Sequence, residues 1–256
     1  MPSKDFSPKL FIESLIQKWW VLFLAIAIGG ALGAGISLVL PARYEAEARI
    51  STSVDYTILP ELEDYEEDRI INEAGWVMNS DEVLLDVQER AKKQGMRISF
   101  EDIKDRFSAD RIDDLWALRV ADSNQETAAT LANIWADASF QYLMTAHKKA
   151  LEASAIRSMI AGLESCQQDQ GEATLALCNS TDRETLREEI NALTADLEDA
   201  LTLSKGLNPA SNYAINSYAV VPLSASYHTR GVLAFLGMLL GLISGILMLW
   251  FSGKRD

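Results

Sequence analysis

Hydrophobic and polar positions divide this chain into three kinds of pattern. Two stretches without a charge, Trp19–Leu40 and Val232–Phe251, bracket a long polar middle. With 22 and 20 residues at about 1.5 Å rise each, both predict helices that cross the roughly 30 Å hydrocarbon core of a bilayer, every backbone amide satisfied inside its own helix. The middle opens on Tyr44–Ile50, where Tyr44, Ala46, Ala48 and Ile50 alternate with Glu45, Glu47 and Arg49. A period of two predicts a half-buried strand. Helices are expected near Arg69–Met78 and from the cap Ser80 through Val83, Leu84 and Val87 to Lys93, with Gly95 as terminator. A short helix, Phe100–Arg106, precedes strands at Phe107–Arg111 and Leu115–Ala121; in the second, Trp116, Leu118 and Val120 share a face. This part reads as a mixed sheet with helices.

The third pattern is helical and long. Ser123-Asn124-Gln125-Glu126 has the form of a capping box. Behind it Ala128, Leu131, Trp135, Ala138 and Tyr142 recur at three and four, and Ala153, Ile156, Ile160 and Leu163 continue the stripe. No Gly or Pro intervenes before Gly162, which predicts one helix of about 40 residues, roughly 60 Å long. A second box, Thr181-Asp182-Arg183-Glu184, opens a helix carrying Leu186, Ile190, Leu193, Leu197 and Leu201 to Lys205, ended by Gly206 and Pro209. Joined by residues 165–180, the two stripes predict an antiparallel hairpin packed through Leu131, Trp135, Ile156, Ile160, Leu163, Leu186, Ile190, Leu193 and Leu197. So long a stripe exceeds what a domain of this size covers, and neighbouring copies are its expected cover. Tyr213–Pro222 then reads as a strand returning to pair with Tyr44–Ile50, which sets the two apolar helices side by side.

The expected organisation is a cytoplasmic tail (1–18), a first transmembrane helix (19–40), a membrane-proximal α/β base (41–122), the hairpin (123–206), a return strand (207–230), a second transmembrane helix (231–251) and a short tail (252–256). The fold class is α+β: a small mixed sheet with helices, plus a long antiparallel helical hairpin, between two transmembrane helices. Gly237, Gly241 and Gly245 recur at four in the second membrane helix, as do Gly29 and Gly33 in the first. Small residues on one face let helices approach closely in lipid, so these five are the expected packing positions.

Charge sets the orientation. Lys4, Lys9 and Lys18 precede the first span, and Lys254 and Arg255 follow the second, so the positive-inside bias places both termini in the cytoplasm. The chain carries −14 overall and each tail +1, which leaves −16 on the external part. That balance argues against nucleic acid, which needs clustered Lys and Arg, and against adhesion to anionic lipid. A secretory signal is disfavoured because the first span is long for one and Pro41-Ala42-Arg43 is a poor cleavage site. Cys166 and Cys178 are the only cysteines; on an exported domain they are expected as a disulfide stapling the hairpin tip, since CxxC spacing and a nearby His are absent. Six acids in eight residues, Glu61–Asp68, read as a solvated loop or first helical turn rather than a calcium site.

Catalytic signatures are missing. The chain holds no GxxxxGK[ST] loop, no GxSxG elbow and no HExxH. His147 and His228 have no nucleophile or ligand set beside them, and Asp113-Asp114, read as neighbours on a strand, point to opposite faces. No catalytic residue, metal ligand or cofactor site is expected.

A membrane helix, Pro41 before Tyr44-x-Ala-x-Ala-x-Ile50, a small α/β base, Ala128-Ala129-Thr130-Leu131-Ala132-Asn133 opening a long helix, and Ala219-Val220-Val221-Pro222 just before a second membrane helix form a layout that resembles the polysaccharide co-polymerases, the Wzz-type chain-length determinants. The resemblance implies a non-enzymatic regulator of O-antigen, capsule or exopolysaccharide chain length in the cytoplasmic (inner) membrane, its main domain periplasmic or extracellular. It implies a homo-oligomeric ring, a Wzy-type polymerase and lipid-linked glycan as partners, and structural importance for Pro222, Gly237 and Gly241, with Pro41, Tyr44 and Pro222 as the expected membrane-junction motif. A scaffold for another envelope or secretion complex would use the same hairpin for different partners. A ligand-binding sensor is disfavoured by the few residues after the second span.

Overall fold

The structure, a computed structural model, describes residues 18–39, 42–59, 61–168, 183–226 and 228–252. Pro41, Cys178, Thr181 and the tail residues Lys4, Lys9, Lys254 and Arg255 lie outside the described residues, and with them the expected Cys166–Cys178 bridge. The chain forms two compact units: one of the residues through Tyr44 and from Leu223 on, the other Glu45–Pro222.

The first unit is a helix pair, α1 (Trp19–Val39) and α7 (His228–Ser252). They run antiparallel, because Gly33 meets Leu233 while Gly29 meets Gly237 and Ala25 meets Gly241. Each is long and apolar enough to cross a membrane, and each leaves most of its large side chains exposed, Phe23, Leu32, Leu240 and Ile243 among them. Two helices so apolar and so little buried fit a lipid surrounding rather than water. Ser37, buried in this pair, donates its hydroxyl to the Ala34 carbonyl at 2.7 Å, so its hydrogen is not stranded in the apolar interior. Where the chain leaves α1 and approaches α7, the Ser226 amide donates to the Arg43 carbonyl at 2.7 Å.

The second unit contains β1 (Tyr44–Val54, from Glu45), α2 (Asp64–Met78), α3 (Asp81–Lys93), α4 (Phe100–Arg106), β2 (Phe107–Ile112), β3 (Leu115–Asp122), α5 (Gln125–Gln168), α6 (Arg183–Leu203) and β4 (Ser211–Ser217). The sheet order is β2-β3-β1-β4. Its β2–β3 and β1–β4 pairs are antiparallel. The β3–β1 neighbours also run oppositely, since Arg119 reaches Glu47 while the Thr52 amide donates to Asp114. The expected mixed sheet is therefore corrected to an antiparallel one; a two-residue connection such as Asp113-Asp114 permits no other pairing. That pair forms the hairpin turn instead of part of a strand, with Asp113 at φ 56, a backbone position that short Asp tolerates.

Alternation along β1 buries Ala46, Ala48, Ile50, Thr52 and Val54 on one face. The opposite face carries an ion network across three strands: Arg119 of β3 pairs with Glu47 of β1 at 2.7 Å and Asp110 of β2 at 2.6 Å, and Arg49 also meets Glu47. Burial alone would raise the Glu47 carboxyl, but hydrogen bonds from Arg119 and Arg49 outweigh it and hold it below the usual carboxylate range.

Helix boundaries follow local chemistry. α2 begins at Asp64, earlier than the expected Arg69, because Asp64, Glu66 and Glu67 suit the positive end of a helix. Ser80 caps α3 by accepting the Val83 amide, and Gly95, at φ +82, follows its end. The cap of α5 is Asn124 rather than Ser123: its side-chain oxygen accepts the Glu126 and Thr127 amides. Asp122 in turn accepts the Asn124 amide, which places the helix start one residue later than the box pattern implies.

The core lies between the sheet and α2, α3 and the first half of α5. Leu131 and Trp135 belong to this core, which corrects their expected place in the hairpin seam, and the boundary expected between residues 122 and 123 is no break in packing. Farther along, α5 packs on α6 through Ala153, Ile156 and Ile160 against Leu193, Leu197 and Ala200. Leu163, Leu186 and Ile190 are half-buried. The strand expected over Tyr213–Pro222 ends at Ser217 and pairs with Arg49–Val54, farther along β1 than expected.

Gly75, inside α2, lies beneath the Trp116 ring, which a Cβ would strike. The Trp116 indole donates to the Ile71 carbonyl at 3.3 Å, so the ring is not free to withdraw. With three ring atoms inside contact distance of that Cβ, Gly75→Ala is expected to cost about 2–3 kcal/mol by overpacking, more than the roughly 1 kcal/mol that alanine gains in a helix. Urea unfolding followed by tryptophan fluorescence measures this; an unchanged or higher midpoint would contradict it.

Candidate functional site

Three features gather the residues singled out by the sequence. The first is the seam between α1 and α7. A Cβ on Gly29 would collide with the Gly237 carbonyl, one on Gly33 with the Leu233 carbonyl, one on Gly237 with the Gly29 carbonyl and one on Gly241 with the Ala25 carbonyl. At these four positions backbone lies directly on backbone, a distance that glycine alone allows. Gly245 differs: its Cβ would meet the Ala25 side chain at 3.0 Å and Leu22 at 3.2 Å. Gly30, which the spacing did not single out, faces the flexible Met238 side chain.

The second is the docking of the return segment on α5. The Asn133 amide group donates to the Ala219 carbonyl at 3.1 Å and accepts the Ala219 amide at 2.7 Å. Beside it, the Tyr218 hydroxyl donates to Asp137 at 2.8 Å. Asn133 closes the Ala128–Asn133 segment and Ala219 opens Ala219–Pro222, so the structure brings these two segments together. Nothing in helical periodicity marks Asn133, since its role depends on a strand end 86 residues away. Tyr44 and Pro222 are half-buried.

The third is the outer surface of the helices. Met144, Leu151 and Met159 of α5, spaced by seven and eight residues, are 44%, 45% and 51% exposed. They form an apolar line on one side of a helix whose other side is buried. A groove of about 530 Å³ lies between α2, α3, α5 and α6, with Trp76, Tyr142, Lys149, Leu203 and Lys205 in its walls. Its lysines are engaged, Lys205 with Glu82 at 2.9 Å and Lys149 with Glu152 at 2.8 Å.

No protein-family model matches the chain, and no curated protein sequence does. Among solved structures, one described as a full-length bacterial polysaccharide co-polymerase aligns over 95% of this chain and 96% of its own. Identity is 11% and the TM-score 0.38. A likeness this loose decides neither fold nor function.

Among the described residues, no group of three or more His, Cys, Asp or Glu is placed to hold a metal ion. The geometry is that of surfaces: a backbone-to-backbone membrane seam, a clamped return segment and an exposed apolar line.

The seam gives a test with its own control. Gly237→Leu forces α1 and α7 apart, whereas Gly35→Leu adds its side chain where a Cβ meets no neighbouring atom. In mild detergent the first is expected to lower the thermal midpoint of the full chain by several degrees and the second to leave it unchanged. Equal effects at both positions would rule out a specific helix contact.

Proposed function

We propose that the protein is a non-enzymatic, two-pass membrane regulator of surface-polysaccharide chain length, working as a ring-forming co-polymerase beside a Wzy-type polymerase. The observation that carries this reading is the order of the chain. A strand with the Tyr44-x-Ala-x-Ala-x-Ile50 pattern follows one apolar helix, a long helix follows an α/β base, and the return segment ends at Pro222 before a second apolar helix packed on the first. That is the layout of the Wzz-type determinants which the sequence resembles. Both termini lie in the cytoplasm in this reading, and the acidic unit Glu45–Pro222 faces outward.

Assembly follows from the exposed line Met144, Leu151 and Met159. In this reading a neighbouring copy covers it, so copies stand around an axis with their long helices side by side. The growing glycan and its polymerase are held by the assembled ring, and ring size or helix height sets the length at which extension stops. Pairing at the tip between Cys166 and Cys178 would stiffen that assembly.

Deleting the gene is expected to change the length distribution of the surface polysaccharide on a gel; an unchanged ladder would sink the reading. A second measurement separates it from a scaffold of some other envelope complex. Leu151→Glu combined with Met159→Glu is expected to reduce a large particle in mild detergent to small species while leaving the thermal midpoint near that of the parent chain. A parent chain that is already monomeric would favour the scaffold.

A further inference from the structure

Beneath the turn that follows α6 lies a seam of buried polar groups drawn from four elements. Thr52 of β1, Ser211 and Tyr213 of β4, Glu73 of α2 and His147 of α5 each bury a polar atom, and among the described residues the Thr52 hydroxyl, the Glu73 Oε2 and the His147 Nδ1 have no hydrogen-bond partner. Thr52 and Tyr213 are cross-strand neighbours, and the His147 ring stands edge-on to Tyr213 with centroids 5.8 Å apart. The Tyr213 hydroxyl is pushed up to about 12 by burial, with the Glu73 charge adding to the effect; Ser211 lies near enough to oppose it without making a hydrogen bond of ordinary geometry.

One backbone unit joins the two ionisable side chains of the helices. The Asn208 backbone acts on both, raising the His147 imidazole and lowering the Glu73 carboxyl against the burial that moves each the other way. Asn208 belongs to a tightly wound turn, with Lys205 at φ 54 and Gly206 at φ 80, whose Asn208 carbonyl also accepts the Ser211 amide. Side chains of α2 and α5 thus both meet the turn that leads α6 into β4.

A neutral imidazole suits this place. It can aim its one N–H at the Asn208 carbonyl and leave Nδ1 as an acceptor facing the interior. A protonated ring must donate from both nitrogens, and Nδ1 has no acceptor within hydrogen-bond reach among the described residues. The charges on neighbouring elements are committed elsewhere: Lys149 to Glu152, with Asp199 of α6 acting on it, and Lys205 to Glu82 of α3. On α2, Arg69 acts on Glu73. Burial holds the imidazole below its ordinary 6.5, opposed only in part by Asn208.

The geometry points to His147 as a proton-operated latch: the neutral ring closes the seam, and gain of a proton releases the Lys205–Ala210 turn together with the β4 edge it feeds. This holds whatever the chain's partners. Because the folded ring resists protonation, the latch is at full strength above about pH 7.5 and weakens as pH falls through 6.5, where an unfolded histidine takes up its proton. The raised Glu73 carboxyl has the opposite sign: its burial cost is relieved as pH falls toward 4.5.

Hydrogen exchange on the full chain in detergent, corrected for intrinsic rate, reads the opening directly. Between pH 7.5 and 5.5 protection of residues 205–213 is expected to fall, by up to about tenfold for each pH unit below 6.5, as one proton taken up requires. In His147→Gln, whose amide can still donate to Asn208, that dependence is expected to vanish. Exchange that ignores pH in the parent, or that keeps its pH dependence in the variant, overturns the latch. Should the variant not fold, His228→Asn leaves His147 as the sole histidine, and its NMR titration decides: a midpoint below 6.5 supports the latch, and one at or above 6.5 refutes it.

Discussion

A single buried indole fixes the longest helix in place. Trp135 is wholly inaccessible, and burying its N–H without a partner would cost several times what a hydrogen bond returns. The partner is the Met78 carbonyl at 3.0 Å, one of the last carbonyls of α2, which the helix itself cannot satisfy. Two deficits cancel in one contact. The same ring lies against Phe107 with centroids 5.0 Å apart, so α2, α5 and the start of β2 are located by one side chain. The remaining core, alanine-rich where α5 meets the sheet, closes around that fixed point.

The two units solve the same problem in different solvents. In Glu45–Pro222, alternation and helical stripes send apolar side chains inward, and a charged network covers the far face of the sheet. Between α1 and α7 there is no hydrophobic force to exploit, since lipid is as apolar as leucine, and close approach of backbone takes its place. Large side chains there point outward and glycine lies inside, the reverse of the order in water.

Legibility in the sequence followed the range of each interaction. Elements defined within a few residues were readable: the alternation of β1, the Ser80 cap, the Gly95 and Gly206 stops, and a helix running uninterrupted through Gly162. Register was harder, because Ser123 and Asn124 are both good caps and only the Asp122 contact to the Asn124 amide separates them. A stripe shows which side of a helix is buried but not by what, which is why Leu131 and Trp135 were expected against α6 and instead lie against the sheet and α2. Gly75 gives no hint of the ring above it, and Asn133 none of Ala219. The seam around His147 is drawn from β1, α2, α5 and β4, and none of its members stands out in its own segment.

An uninterrupted α5 also has mechanical meaning. From Trp135 to Gln168 it extends about 50 Å at the usual helical rise, and Trp135, near its beginning, acts as a fulcrum. A rigid rod so held converts rotation into travel: a tilt of about 5° in the base would carry the far end about 4 Å sideways over that length. His147, on which the Asn208 backbone acts, stands about 18 Å along that rod from Trp135, on its inner part. Minor rearrangement there would be read out, magnified, at the opposite end of the helix.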